Sequence, residues 1–162
     1  MTIQPAPGHL APGFELPNQH GEPVSLSALR GTAVVLVFYP FAFSRVCTDE
    51  LDELQANLGE FRSRSARVLA VSIDHRYVLR TYAEQRGYGF DLLSDFWPHG
   101  EVAEQYRVLN LSEGYARRST FFIDPAGLIN SRVDAPLGEG RAFENYRSAL
   151  LSLSQHTAES PR

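Results

Sequence analysis

The chain has 162 residues, 43% of them hydrophobic and 21% charged, enough for one compact domain with a real core. Its net charge is −4, and its 15 basic residues, all arginine, are scattered rather than blocked, which speaks against nucleic acid as a partner. No apolar run approaches the ~20 residues of a membrane helix, and Met1-Thr2-Ile3-Gln4-Pro5 lacks the basic start and apolar stretch of a secretory leader, so the expected location is the reducing cytoplasm.

Thr2 to Pro12, with three prolines, and Gln155 to Arg162 read as loose, and no repeat or linker interrupts the body between them. A single domain is expected over 1–162, with loose ends at about 1–7 and 155–162. Ala33 to Tyr39 is a continuous apolar, β-branched run, the mark of a strand buried on both faces of a sheet, and Arg67 to Ile73 is a second. Between them Leu51, Leu54, Leu58 and Phe61 recur at helical spacing, which predicts an amphipathic helix over about Asp49 to Arg64 and makes a βαβ unit. Further helices are predicted from Tyr77 to Arg86, with Gly87 as C-cap, and from Glu101 to Tyr106. Ser119 to Ile123 and Leu128 to Val133 flank Asp124-Pro125-Ala126-Gly127, a good turn sequence, and read as an antiparallel hairpin. A last helix is expected over about Ala142 to Leu153. A βαβ half, a hairpin and a closing helix give an α/β protein with a central mixed sheet flanked by helices, the arrangement of thioredoxin-like folds.

Cys47 is the only cysteine, which excludes an internal disulfide, a CxxC redox pair and a thiolate-rich zinc site. It lies in Phe38-Tyr39-Pro40-Phe41-Ala42-Phe43-Ser44-Arg45-Val46-Cys47-Thr48-Asp49-Glu50, which joins the end of a buried strand to a helix start. Ligand sites of α/β sheets gather at such ends. In a first helical turn, unpaired backbone N–H groups and the positive end of the macrodipole favour thiolate over thiol. Asp49 and Glu50 work against ionisation, so a cation is required. The ordinary reading of an isolated cysteine is an inert small hydrophobe. Here Pro40, Ser44 and Cys47 form Pro-x-x-x-Ser-x-x-Cys after a strand, and each suits a reactive turn. Pro40 ends the strand and can shield the sulfur from water. The Ser44 hydroxyl can donate to and accept from an oxygen near the sulfur, or act as an ordinary N-cap.

These residues resemble the peroxiredoxin family, whose motif is Pro-x-x-x-(Thr/Ser)-x-x-Cys. The resemblance extends over about residues 8 to 153, through Ala11-Pro12-Gly13-Phe14-Glu15-Leu16, Leu93-Ser94-Asp95 and Arg118-Ser119-Thr120-Phe121-Phe122-Ile123-Asp124. Phe41-Ala42-Phe43, Cys47-Thr48-Asp49-Glu50-Leu51 and Leu92-Leu93-Ser94-Asp95-Phe96-Trp97-Pro98-His99-Gly100 look most like the AhpE-type one-cysteine peroxiredoxins of bacteria. The resemblance implies a thiol-dependent peroxidase that reduces hydrogen peroxide, alkyl or lipid hydroperoxides or peroxynitrite through a Cys47 sulfenic acid. It implies that Ser44, loop N–H groups near Val46 and Cys47, and Arg118 hold the peroxide, that Pro40 shields it, and that Glu50 orients Arg118. For Arg118 the obvious misassignment is its neighbour Arg117, and a solvated glutamate at a helix start explains Glu50 equally well. Phe41, Phe43, Val46, Phe96 and Trp97 are read as an apolar pocket rim, and the four aromatics also as part of a homodimer face, with plain core packing the alternative for each aromatic.

No cofactor and no metal is expected. With no second cysteine, an external thiol must resolve the sulfenic acid, either a low-molecular-weight thiol with a glutaredoxin-like partner or a thioredoxin. The rival enzymatic reading is a Cys–His hydrolase or transferase, for which His9, His20, His75, His99 and His156 are the available bases; His9, His20 and His156 read as solvated, His75 as a loop residue that could approach the site, His99 as a packing or dimer contact before a substrate contact, and no pair has metal spacing. The non-enzymatic rival is a thioredoxin-fold redox sensor or interaction protein in which Cys47 is oxidised without turnover.

Overall fold

The computed structural model describes residues 5–135 and 143–159, with side chains over 5–135 and 143–153. A small antiparallel hairpin, β1 (Glu15–Pro17) and β2 (Pro23–Ser25), precedes the main sheet. The apolar run that suggests a doubly covered strand is β3 (Ala33–Phe38), with every residue buried. β3 pairs in parallel with β4 (Ala66–Ser72), and β4 in parallel with β5 (Asp91–Ser94). On its other side β3 meets β6 (Ser119–Ile123) antiparallel, and β6 meets β7 (Ile129–Asp134) antiparallel. The order β5-β4-β3-β6-β7 is the mixed sheet expected of a thioredoxin-like α/β fold.

Side chains alternate across a strand, so the sheet feeds two cores. Val35, Val37 and Tyr39 face one core. They pack there with Cys47, Leu51 and Leu54 of α1 (Arg45–Ala56), Phe61 of α2 (Leu58–Ser63), Leu79 and Tyr82 of α3 (Arg76–Arg86), and Leu150 of α5 (Phe143–Glu159). Val34, Leu36 and Phe38 face the other, with Val102 of α4 (Glu101–Gln105), Tyr106, Phe121, and Leu16 and Val24 of the small hairpin. Burial on both faces is why β3 reads as an unbroken apolar run.

The helix expected over Asp49–Arg64 instead starts at Arg45 and breaks once. Ser44, extended at φ −70° and ψ 146°, caps it, so the helix takes in Arg45 to Thr48 although these residues carry no apolar period. Asn57, at φ −110° and ψ 14°, leaves the helical region and separates α1 from α2. Helix α3 begins at Arg76 and ends on Gly87 in the left-handed conformation, as its sequence suggests. The hairpin turn closes on Asp124, whose Oδ1 accepts from Ala126 N–H at 2.9 Å and Leu128 N–H at 3.0 Å. Gly127 sits at φ +90° there, and a Cβ would meet the Arg30 guanidinium at 2.5 Å. Strand β7 starts one residue later than expected, because Leu128 bridges to Leu10.

The strands β1, β2 and β5 were not anticipated; each has three or four residues, too few for a period, and β1 and β2 contain Pro17 and Pro23. The N-terminal segment is not loose as far as Pro12: Gly8 N–H donates to Ile129 O at 2.8 Å, Ile129 N–H to His9 O at 2.9 Å, and Ala11 N–H to Gly127 O at 2.9 Å. At the other end α5 continues to Glu159, into the tail expected to be loose. Residues 1–4 and 160–162 of the expected loose ends, and Ala142 as the start of the last helix, lie outside the described residues.

Candidate active site

Cys47 is the third residue of α1 and only 2% exposed. Its backbone N–H donates to Ser44 Oγ at 3.4 Å, a long capping bond in which the hydroxyl accepts and keeps its own hydrogen to donate elsewhere. Pro40, two residues past β3, is buried at the start of the loop that leads to this turn. Helical spacing sets Glu50, Leu51 and Leu54 on the buried face of α1 with Cys47.

Arg118, the residue before β6, reaches the same face from the strand beside β3. The antiparallel register sets Phe38 opposite Ser119, so the preceding residue, Arg118, falls abreast of Tyr39, which packs in the core that contains Cys47. Its guanidinium forms an ion pair with the Glu50 carboxylate, and the two side chains are 2% and 5% exposed. Burying two charges costs several kcal/mol each before their attraction repays it. Arg117 is exposed, so the buried arginine of this pair of neighbours is Arg118.

Two contacts not foreseen from the sequence brace the turn. Thr48 Oγ1 and the Tyr82 hydroxyl are hydrogen-bonded at 2.8 Å, tying the first turn of α1 to α3. Asp74, just past β4, accepts from Ala42 N–H at 2.8 Å and from the Ser72 hydroxyl at 2.7 Å. Burial pushes the Tyr39 phenol well above its ordinary value; the Ser72 side chain opposes this, while Asp74, Tyr82 and Cys47 add to it. Burial likewise raises the Tyr82 phenol, opposed by Thr48 and Tyr88. Both partnerships span more than 30 positions in sequence, and no local pattern signals them.

The residues read as a rim are mostly exposed: Phe41 41%, Phe43 51%, Phe96 47% and Trp97 80%, with Val46 half-buried, so core packing does not explain the four aromatics. Phe41 packs on Tyr115 with centroids 4.9 Å apart, and Phe43 on Tyr82 at 4.7 Å. Phe96 meets His75, the neighbour of Asp74, edge-on at 4.9 Å. The histidines do other work. His75 caps α3 by accepting from Tyr77 N–H at 3.3 Å, His99 bonds Gly114 O at 2.6 Å, and His9 and His20 are exposed. The side chain of His156 lies outside the described residues. Among the described residues no cluster of histidine, cysteine and carboxylates is arranged to hold a metal ion. A cavity of about 530 Å³, lined by Thr32, Leu58, Arg62, Arg67, Phe90 and Asp91, opens at the N-terminal ends of the parallel strands, the end of the sheet opposite Cys47.

Residues 7–132 match the AhpC/TSA family, a span that includes Pro40, Ser44, Cys47, Glu50 and Arg118. The chain belongs to this family, the peroxiredoxins. Alkyl hydroperoxide reductase E of Mycobacterium tuberculosis is 40% identical over 148 residues, which cover 91% of this chain and 97% of that protein. The crystal structure of peroxidoxin BcpB from Mycobacterium tuberculosis superposes with a TM-score of 0.81 at 31% identity, covering 93% of this chain and 97% of that one. That of AhpC from Enterococcus faecalis gives 0.86 at 27% identity, covering 100% and 98%. This peroxiredoxin is therefore a thioredoxin-fold oxidoreductase, a thiol-dependent peroxidase, and its single cysteine fits the one-cysteine type. No helix among the described residues is long and apolar enough to cross a membrane.

Proposed function

We propose that Cys47 is the peroxidatic nucleophile and that Arg118, Ser44 and the N–H groups around Val46 and Cys47 hold the peroxide against it. The observation that carries this reading is the buried Arg118–Glu50 ion pair: a fixed cation of permanent charge, retained in the core despite its desolvation cost, held by a carboxylate on the same buried face of α1 as the one thiol in the chain. Glu50 orients the guanidinium. Pro40 screens the sulfur from bulk water. Phe41, Phe43, Val46, Phe96 and Trp97 form an apolar approach suited to alkyl and lipid hydroperoxides as well as hydrogen peroxide and peroxynitrite, and the exposed aromatics also suit a homodimer contact.

The thiolate forms an S–O bond with the nearer peroxide oxygen as the O–O bond breaks. The leaving hydroxide or alkoxide, stabilised by the guanidinium and loop N–H groups, takes a proton and departs as water or alcohol, and peroxynitrite releases nitrite in the same way. Cys47 is left as a sulfenic acid. With no second cysteine in the chain, an external thiol attacks that sulfur, expelling water and forming a mixed disulfide. A second external thiol then displaces reduced Cys47 and leaves as the external disulfide. The cycle needs no metal and no bound cofactor, and its low-molecular-weight thiol, glutaredoxin-like or thioredoxin-like reductant would be met in the cytoplasm.

The test is steady-state consumption of hydrogen peroxide with dithiothreitol as reductant, for the wild type and Cys47→Ser. Repeated turnover by the wild type and none by the serine variant supports the reading. Stoichiometric oxidation of Cys47 without recycling would make the protein a redox sensor instead.

A further inference from the structure

In-line attack on a peroxide demands that the loop before Cys47 keep one shape. Asp74 is placed to hold it. Half-buried at the end of β4, it offers Oδ2 to the Ala42 N–H at 2.8 Å and to the Ser72 hydroxyl at 2.7 Å. Its own backbone is fixed twice, the N–H donating to Ser72 Oγ at 3.3 Å and the carbonyl accepting from Ser94 Oγ at 2.6 Å. The carboxylate is thus anchored to the ends of β4 and β5, and through Ala42 it pins a loop that is otherwise bordered by exposed Phe41 and Phe43.

Phe43, the residue after Ala42, has φ +69°, a region that disfavours bulky side chains. Such a conformation persists only where its surroundings over-determine it. The Asp74–Ala42 bond at the preceding residue and the Phe43–Tyr82 ring contact, at 4.7 Å, both do so. The same carboxylate connects with the sulfur's neighbourhood, since the buried Tyr39 phenol beside Ser72 feels the charge of both Asp74 and Cys47.

We propose that Asp74 is a positioning residue of the peroxidase: by accepting from the Ala42 N–H it holds the Pro40–Ser44 loop in the shape that binds peroxide against Cys47. It touches neither the sulfur nor the substrate. The inference rests on the reading of Cys47 as the peroxidatic residue. What it requires of position 74 is an acceptor oxygen at that point in space, not a charge, so Asp74→Asn should serve and Asp74→Ala should not.

The experiment follows two reactions of reduced Cys47 in each variant: oxidation by hydrogen peroxide in stopped flow, and alkylation by iodoacetamide, which needs the thiolate but no peroxide-shaped loop. Asp74→Ala should oxidise about tenfold or more slowly, with alkylation within roughly threefold of wild type, and Asp74→Asn should stay within roughly threefold in both. Asp74→Glu keeps the charge but moves the oxygen, and should be as slow towards peroxide as the alanine variant; it carries the test if Asp74→Ala does not fold. Oxidation of Asp74→Ala or Asp74→Glu at the wild-type rate overturns the proposal. So does a parallel fall of both reactions, or an asparagine variant as slow as alanine. A wild type no faster than free cysteine overturns the peroxidatic reading itself, and the proposal with it.

Discussion

Arg118 and Glu50 form the most costly arrangement at the site, and each depends on the other. Removing one partner of a buried pair strands the other charge, which typically costs ~3–5 kcal/mol. Arg118→Ala is therefore expected to lower the urea midpoint markedly and to slow Cys47 oxidation by about 10²-fold or more, the size of effect seen when a donor to a developing oxyanion is lost. Both changes are read from one preparation by urea unfolding and stopped flow. The paired variant Glu50→Gln with Arg118→Met, which removes both charges, should regain stability but not the oxidation rate. A recovery of both would assign the pair to structure alone. Pro40, Ser44 and Cys47 were legible as a motif, whereas Arg118 and its pairing with Glu50 were legible only through family resemblance. Asp74 and Tyr82 were not legible at all, because their contacts with Ala42 and Thr48 join segments far apart in the chain.

At the scale of the element, α1 decides where the sulfur sits. Its start was placed too late because Arg45, Val46, Cys47 and Thr48 have no apolar period; the signal that marks the start is Ser44, read equally well as a cap or as a substrate contact. The structure has it capping. Ser44→Ala should cost about 1 kcal/mol and fray the turn that carries Cys47, while Ser44→Thr, which keeps the oxygen, should retain most of it. Thermal unfolding of the three proteins measures this. Strands β3 and β4 were readable because both faces of each are covered, and β5 was not, being four residues long. Tyr82→Phe removes the hydroxyl that meets Thr48 and keeps the ring under Phe43, so it should loosen the first turn without emptying the core. Faster amide exchange at Thr48 and its neighbours in that variant is the expected result.

Across the whole molecule, the strand ends of the parallel half converge on the Cys47 loop, while Asp95, after β5, organises the approach to α4. Its carboxylate is 1% exposed and accepts from Val102 N–H at 3.1 Å and Ala103 N–H at 2.9 Å. Burial pushes it up to about 6, against the pull of those two N–H groups. The folded protein then holds this proton more tightly than the unfolded chain, whose aspartates titrate near 3.9. The sign follows: this group's contribution to stability is greatest below about pH 4 and declines as pH rises to about 6, by up to ~3 kcal/mol. Carboxylates held low by arginine, such as Asp52 beside Arg86, act oppositely, so the prediction concerns a difference. The gap in urea midpoint between Asp95→Asn and the wild type should shift in favour of the variant between pH 4 and pH 6 and stay constant above it. A gap independent of pH would contradict the assignment.

The most direct measurement mixes the reduced protein with hydrogen peroxide, and separately with a fatty acid hydroperoxide, in stopped flow, following Trp97 fluorescence and confirming each product by intact mass. Oxidation far faster than that of a free thiol, adding one oxygen atom and absent in Cys47→Ser, is the predicted result. Oxidation at the rate of free cysteine, by mass as well as by fluorescence, would contradict the assignment of Cys47 as the peroxidatic residue.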